Sequence, residues 1–155
     1  MGLDSGVLTA SVKRIGEKHH AAALGLSKLV VEGTHQGVCS ALVLTEVPGA
    51  LASSTTMPVD KIYETELSLL ESFRVNVSPF EQHADRAVDP MLEFRDMKRR
   101  LDINSADFHH LATAVGEGCT VFVTTDERHL LREETRSALS SYIRICAPSE
   151  VSRET

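Results

Sequence analysis

Apolar residues recur at three- and four-residue intervals in two stretches of this chain, and that spacing predicts helices over residues 19–33 and 60–73. The second carries Ile62, Leu67, Leu69, Leu70 and Phe73 as its apolar positions. Residues 105–117 predict another helix, with Phe108, Leu111, Ala112 and Val115 on one face. Residues 80–100 read as a long polar helix, interrupted at Asp89-Pro90. Between these lie short β-rich runs bounded by Gly, Pro, Ser or Asp: Val38 to Leu42, Val75 to Val77, Cys119 to Thr124 and Tyr142 to Cys146. A first, very short strand is expected at Met1 to Asp4. Short strands alternating with helices imply a mostly parallel sheet covered by helices on both faces, an α/β fold of three layers, α/β/α. The whole chain, 1–155, is expected to form one domain. In such folds ligands gather at the carboxyl ends of the strands, so the chemistry belongs on that edge.

Composition narrows the class. The 155 residues are 42% apolar and 25% charged, as in an ordinary soluble protein. No apolar run approaches the roughly 18–20 residues that span a bilayer. The opening residues, Met1-Gly2-Leu3-Asp4, have neither the basic start nor the apolar stretch of a signal peptide, and a cytoplasmic location without membrane contact is the expectation. Cys39, Cys119 and Cys146 lie far apart beside apolar runs, as buried free thiols do, so neither a zinc site nor a disulfide framework is expected. Of the seven histidines, His19-His20 and His109-His110 are adjacent pairs. Neighbours on a helix point about 100° apart, which suits a shared metal poorly, and most of the histidines are read as surface residues. The formal net charge of −6 argues against binding nucleic acid through bulk positive charge. It does not exclude a nuclease whose acids are clustered around a metal, because the ion reverses the local sign.

Four acids fall where such a cluster would form. Asp4 ends the first strand, Glu46 follows the second in CSALVLTEV, Asp107 sits in the first turn of a helix, and Asp126 ends the strand VFVTTD. Each has a plainer reading as well. Asp4 suits a turn or helix cap, Glu46 a surface position, and Asp126 the opening of a turn. Asp107 suits a first-turn acid behind the cap Asn104.

Taken in order, these segments resemble the PIN-domain family. LDSGVL resembles the family's opening LDTNVL, and CSALVLTEV its second acidic segment. SADFHHLATAVGEGCTVFVTTDERHL is similar to the pattern of Asp, His-x-Ala-x-Ala, then a buried strand closing on Thr-x-Asp. YIRICAPSEV resembles the last strand and its cap. The likeness covers essentially the whole chain and is nearest to the VapC-type toxins of toxin–antitoxin pairs. It implies a PIN-like fold and a metal-dependent endoribonuclease with Asp4, Glu46, Asp107 and Asp126 as catalytic, metal-binding residues. It also implies an RNA substrate, an antitoxin partner and a homodimer. Two positions depart from the pattern: Gly6 stands where the family has Asn, and Pro48 follows Glu46 by two residues, where it disturbs a helix running from Ser40. A helix start near Thr45 would accommodate it.

Charge gives an independent reason for the metal. Two carboxylates about 5 Å apart repel by roughly 3 kcal/mol at an effective dielectric near 20. Four together raise one another's pKa values unless cations enter. One or two hydrated Mg²⁺ or Mn²⁺ ions suit such a cluster, since these ions take oxygen ligands and keep several waters. Paired ions can activate a water for in-line attack on phosphorus. Ser5, Thr124 and Thr125 are placed to orient the waters. Lys13, Arg14, Lys98, Arg99, Arg100, Arg128, His129 and Arg132 flank the motifs and are candidates for phosphate contacts, or for a solvated face. A catalytically silent PIN fold that binds RNA or protein is the alternative function. A receiver-like domain fits less well, because it wants paired acids in the first segment, where only Asp4 stands.

Overall fold

The computed structural model describes residues 1–33, 35–83, 99 and 101–151. Five parallel strands form one sheet: β1 (Gly2–Leu3), β2 (Val38–Ser40), β3 (Asn76–Ser78), β4 (Val121–Val123) and β5 (Arg144–Cys146), in the order β3-β2-β1-β4-β5. The register pairs Gly2 with Val38 and Phe122, Leu3 with Val123, and Ser40 with Ser78. The chain thus builds outward from β1 to β3 and returns to the other side of β1. The gap between β1 and β4 is the point where strand order reverses, and crevices for ligands open there.

Helices α1 (Ser5–Val12), α2 (His20–Val31), α3 (Val43–Ser54), α4 (Val59–Ser72), α5 (Ser105–Gly116) and α6 (Glu133–Leu139) complete the described elements, with a 3-10 turn at Pro148–Glu150. The alternation of side chains along each strand divides the interior in two. Leu3, Cys39, Val121, Val123 and Cys146 face a core with Val7, Leu8, Leu26, Val30, Val43, Val47, Leu51 and Phe73 from α1 to α4 and its end. Phe122 and Ile145 face the opposite core with Phe108, Leu111, Ala114 and Leu139 from α5 and α6. These two cores on one sheet are the expected three layers. Each fully buried side chain of this size contributes about 1.5–3 kcal/mol of transfer free energy. Among the described residues no helix is long and apolar enough to cross a membrane.

The predicted elements are present with narrower bounds. Most of the polar helix expected over 80–100, including Asp89-Pro90, Lys98 and Arg100, lies outside the described residues. Helix α3 begins at Val43, not near Thr45, and Pro48 lies inside it. The carbonyl that loses its partner at a helical proline is that of residue i−4, here Leu44. Leu44 lies on the exposed face of the helix, the side where a lost backbone bond costs least, and the helix continues.

The histidines require a larger correction. None of the seven is exposed, and His83, His109 and His110 are buried. The reason is α5, which is buried without a break from Phe108 to Ala114. A helix covered on nearly every side sends both members of an adjacent pair into protein. His109 stacks against Phe80, with ring centroids 4.4 Å apart, while His110 bonds Ser40 and Glu46.

A candidate metal centre at the carboxyl edge of the sheet

Asp4 leaves β1 in extended conformation and precedes α1, yet its side chain makes no cap bond to that helix. Its backbone N–H donates to Val123 O at 3.0 Å, which fixes it beside β4. Its carboxylate is instead held by hydroxyls. Thr124 Oγ1 donates to Oδ2 at 2.5 Å and Ser5 Oγ to Oδ1 at 3.4 Å. Thr124 is fully buried, and its Oγ1 also accepts the N–H of Asp126 at 3.0 Å. One hydroxyl therefore ties Asp4 to the loop after β4.

Glu46 reaches the same edge from α3, on one face of the sheet, and His110 from α5, on the other. They meet above the strand ends with His110 Nε2 2.7 Å from Glu46 Oε2. The other ring nitrogen, Nδ1, lies 2.9 Å from Ser40 Oγ, at the end of β2. Oxygen and nitrogen donors of Asp4, Glu46 and His110 all lie within 4.8 Å of one another. Among the described residues this is where three metal-ligating side chains converge.

Asp107 and Asp126 stand beside this group, with their carboxylates engaged locally. Asp107 closes a reciprocal cap with Asn104: Asn104 N donates to Asp107 Oδ2 at 3.2 Å, and Asp107 N to Asn104 Oδ1 at 2.9 Å. Asp126 Oδ1 accepts the backbone N–H groups of Arg128 and His129 at 2.9 and 3.1 Å, and Oδ2 lies 3.0 Å from His129 Nδ1. The cap and the turn that their local sequences suggest are both formed. The two acids nevertheless share the field of the site. Burial pushes the Asp107 carboxyl up to about 6, and the charges of Asp4 and Asp126 add to that against the hydrogen bond from the Asn104 backbone.

The Glu46–His110 pair shows the opposite balance. Burial works against the charged form of Glu46, but the hydrogen bond and charge of His110, with help from Ser5, hold its carboxyl below the usual range. Burial likewise disfavours the His110 imidazolium, but the Glu46 hydrogen bond and the charges of Asp4, Glu46 and Asp107 raise it overall. Without another cation, a protonated histidine is the counter-charge the cluster has at hand.

Thr125 and Gly6 are linked. A Cβ on Gly6 would lie 2.5 Å from Thr125 Oγ1 and 3.7 Å from Asp4 Oδ2. The missing side chain and the threonine hydroxyl thus compete for one space, so Gly6 is the partner of Thr125 in this chain. Sequence reasoning missed His110 as a site residue, although the signal was present. It lies three residues after Asp107 and so on the same helix face.

This donor set fits a small divalent cation: two carboxylates and an imidazole converge, and a third carboxyl, pushed up chiefly by burial, also feels the charges of Asp4 and Asp126. A family model described as the PIN domain matches residues 1–133. The fold is similar to the crystal structure of FitAcB from Neisseria gonorrhoeae, with a TM-score of 0.61 and 19% sequence identity over 96% of this chain and 98% of that one. No curated protein matches the chain. The matched residues include the whole acidic edge, from Asp4 through Glu46 and Asp107 to Asp126, and with that the chain belongs to the PIN domain family.

Proposed function

We propose that this chain is a metal-dependent endoribonuclease that cuts RNA phosphodiester bonds with water, using one or two Mg²⁺ or Mn²⁺ ions. The observation that carries the reading is the convergence of Asp4, Glu46 and His110 within 4.8 Å at the strand-order switch. Asp4 and Glu46 would hold the ion, joined by Asp107 and Asp126 if they leave the cap and the turn that engage them here. When bound, the ion supplies the positive charge that lowers the pKa of water and neutralises phosphate oxygens. The chain's own groups do the positioning. Thr124 and Ser5 fix the two oxygens of Asp4, and Ser40 fixes the ring of His110. Asp107 and Asp126 would complete the acidic set around the ion, whose charge offsets the burial and repulsion that raise the Asp107 carboxyl to about 6 without it. Exposed Arg128, two residues past Asp126, is placed to meet phosphates beside the scissile bond.

The same reading makes the chain the toxin of a toxin–antitoxin pair in the cytoplasm, working as a homodimer. Its support is the VapC-like order of motifs and an apolar stripe on α4, where Val59, Tyr63 and Leu67 are 70%, 58% and 67% exposed. Purified protein freed of any bound partner tests the activity on labelled single-stranded and hairpin RNA. Cleavage should require Mg²⁺ or Mn²⁺ and stop with EDTA. Cleavage that persists in EDTA would remove the metal from the mechanism.

A further inference from the structure

We propose that His110 is itself a ligand of the metal ion, with Ser40 as its outer partner. The centre is then a mixed oxygen–nitrogen site that prefers first-row transition ions to Mg²⁺. The inference rests on the metal-dependent reading above and extends it to the identity of the donors.

The geometry carries it. Two donors bound at right angles to one ion, each about 2.1 Å away, are about 3 Å apart. His110 Nε2 and Glu46 Oε2 are 2.7 Å apart, a few tenths of an ångström from that spacing. An Asp4 carboxylate oxygen lies within 4.8 Å of both. The ring orientation is that of a held ligand. Ser40 Oγ, 2.9 Å from Nδ1, also receives the N–H of Leu42 at 3.3 Å, and it sits on a strand end with 1% exposure. With Nδ1–H donated to that oxygen, Nε2 faces the carboxylates; it donates its proton to Glu46 Oε2 here, and an entering ion would take that proton's place. A metal-bound histidine almost always has such a partner on its other nitrogen. The side chain of His110 is only 3% exposed, so solvent does not compete for the ring. Imidazole suits first-row ions such as Fe²⁺, Ni²⁺ and Zn²⁺, whereas Mg²⁺ favours oxygen donors, so a nitrogen ligand here shifts the preference away from Mg²⁺.

The test is the electron spin-echo spectrum of Mn²⁺ bound to the full chain labelled with ¹⁵N at histidine, alongside calorimetric titration with Mn²⁺ and Mg²⁺. The wild type should show coupling to a directly bound histidine nitrogen. The coupling should survive His129→Gln, which removes the imidazole beside Asp126. His110→Gln should abolish it and weaken Mn²⁺ binding by about 100-fold, because losing a ligand costs at least as much as losing its outer partner. Mg²⁺ affinity should change by less than about threefold, since Mg²⁺ gains little from imidazole. Should His110→Gln not fold, Ser40→Ala serves as the second variant: coupling should remain while Mn²⁺ affinity falls about tenfold. Bound Mn²⁺ without histidine coupling, or coupling lost in His129→Gln, overturns this inference and leaves the proposed activity standing. A wild type that binds neither ion overturns both.

Discussion

Asp107 shows how one residue serves two demands that oppose each other. Its cap with Asn104 stabilises the start of α5, while burial, and after it the charges of Asp4 and Asp126, penalises its charge. An acid whose carboxyl is pushed up from 3.8 to about 6 binds its proton more tightly in the folded chain than in the unfolded one. Folding stability therefore falls as pH rises between those values and stays low above them. Asp107→Asn keeps an oxygen for the cap and removes the charge. Without metal it should raise the melting temperature at pH 7.5 and have little effect near pH 4. The gain is at most about 3 kcal/mol, at 1.36 kcal/mol per pKa unit. Calorimetric melts in EDTA across pH 4–8 check the sign. A melting temperature that drops at pH 7.5 would mean that the cap outweighs the charge. Glu127→Gln is the control, because that side chain is engaged by Lys18 and His19 instead.

At the scale of elements, the site depends on how closely β1 and α5 approach. Gly2 makes that approach possible: a Cβ there would lie 2.5 Å from Ala114 Cβ and 2.9 Å from Phe122 Cδ2. Gly2→Ala should destabilise the fold by about 1–3 kcal/mol through overpacking. It should also weaken metal binding, because Asp4 and His110 ride on the two elements forced apart. Urea unfolding and metal titration measure the two effects, and unchanged values in both would contradict this packing. Much of the arrangement was legible in the sequence. Elements and layers followed from periodicity and short β-rich runs, while Asp126, expected to end its strand, lies in the loop three residues past β4. The strands came out longer than they are because flanking residues share their composition. Cys119, for example, still bonds Ala114 O in the turn that ends α5, where Gly118 adopts φ 73. Spacing sets His110 on the Asp107 face of α5 but does not say what it meets there. Its partners Ser40 and Glu46 are 70 and 64 residues away, on the far side of two crossovers.

For the molecule as a whole, the exposed stripe of Val59, Tyr63 and Leu67 stands one helical turn apart at each step along α4. Water contact at such a stripe is unfavourable, and a second copy of the chain is the proposed cover. Light scattering at tens of micromolar should give twice the 16.9 kDa chain mass, and Leu67→Glu should shift it to the monomer. A monomer in the wild type would contradict the homodimer and leave the site untouched.

Whether the cluster at the sheet edge cuts RNA is decided by single-turnover cleavage of labelled host RNA, comparing wild type with Asp4→Asn and Glu46→Gln at saturating Mn²⁺. The wild type should cleave only with metal, and each variant should lose several orders of magnitude with circular dichroism unchanged, while Glu127→Gln stays near wild type. Folded, partner-free wild type that cuts no RNA of its own host with either metal would contradict the proposed function, and the chain would then be a silent binding module.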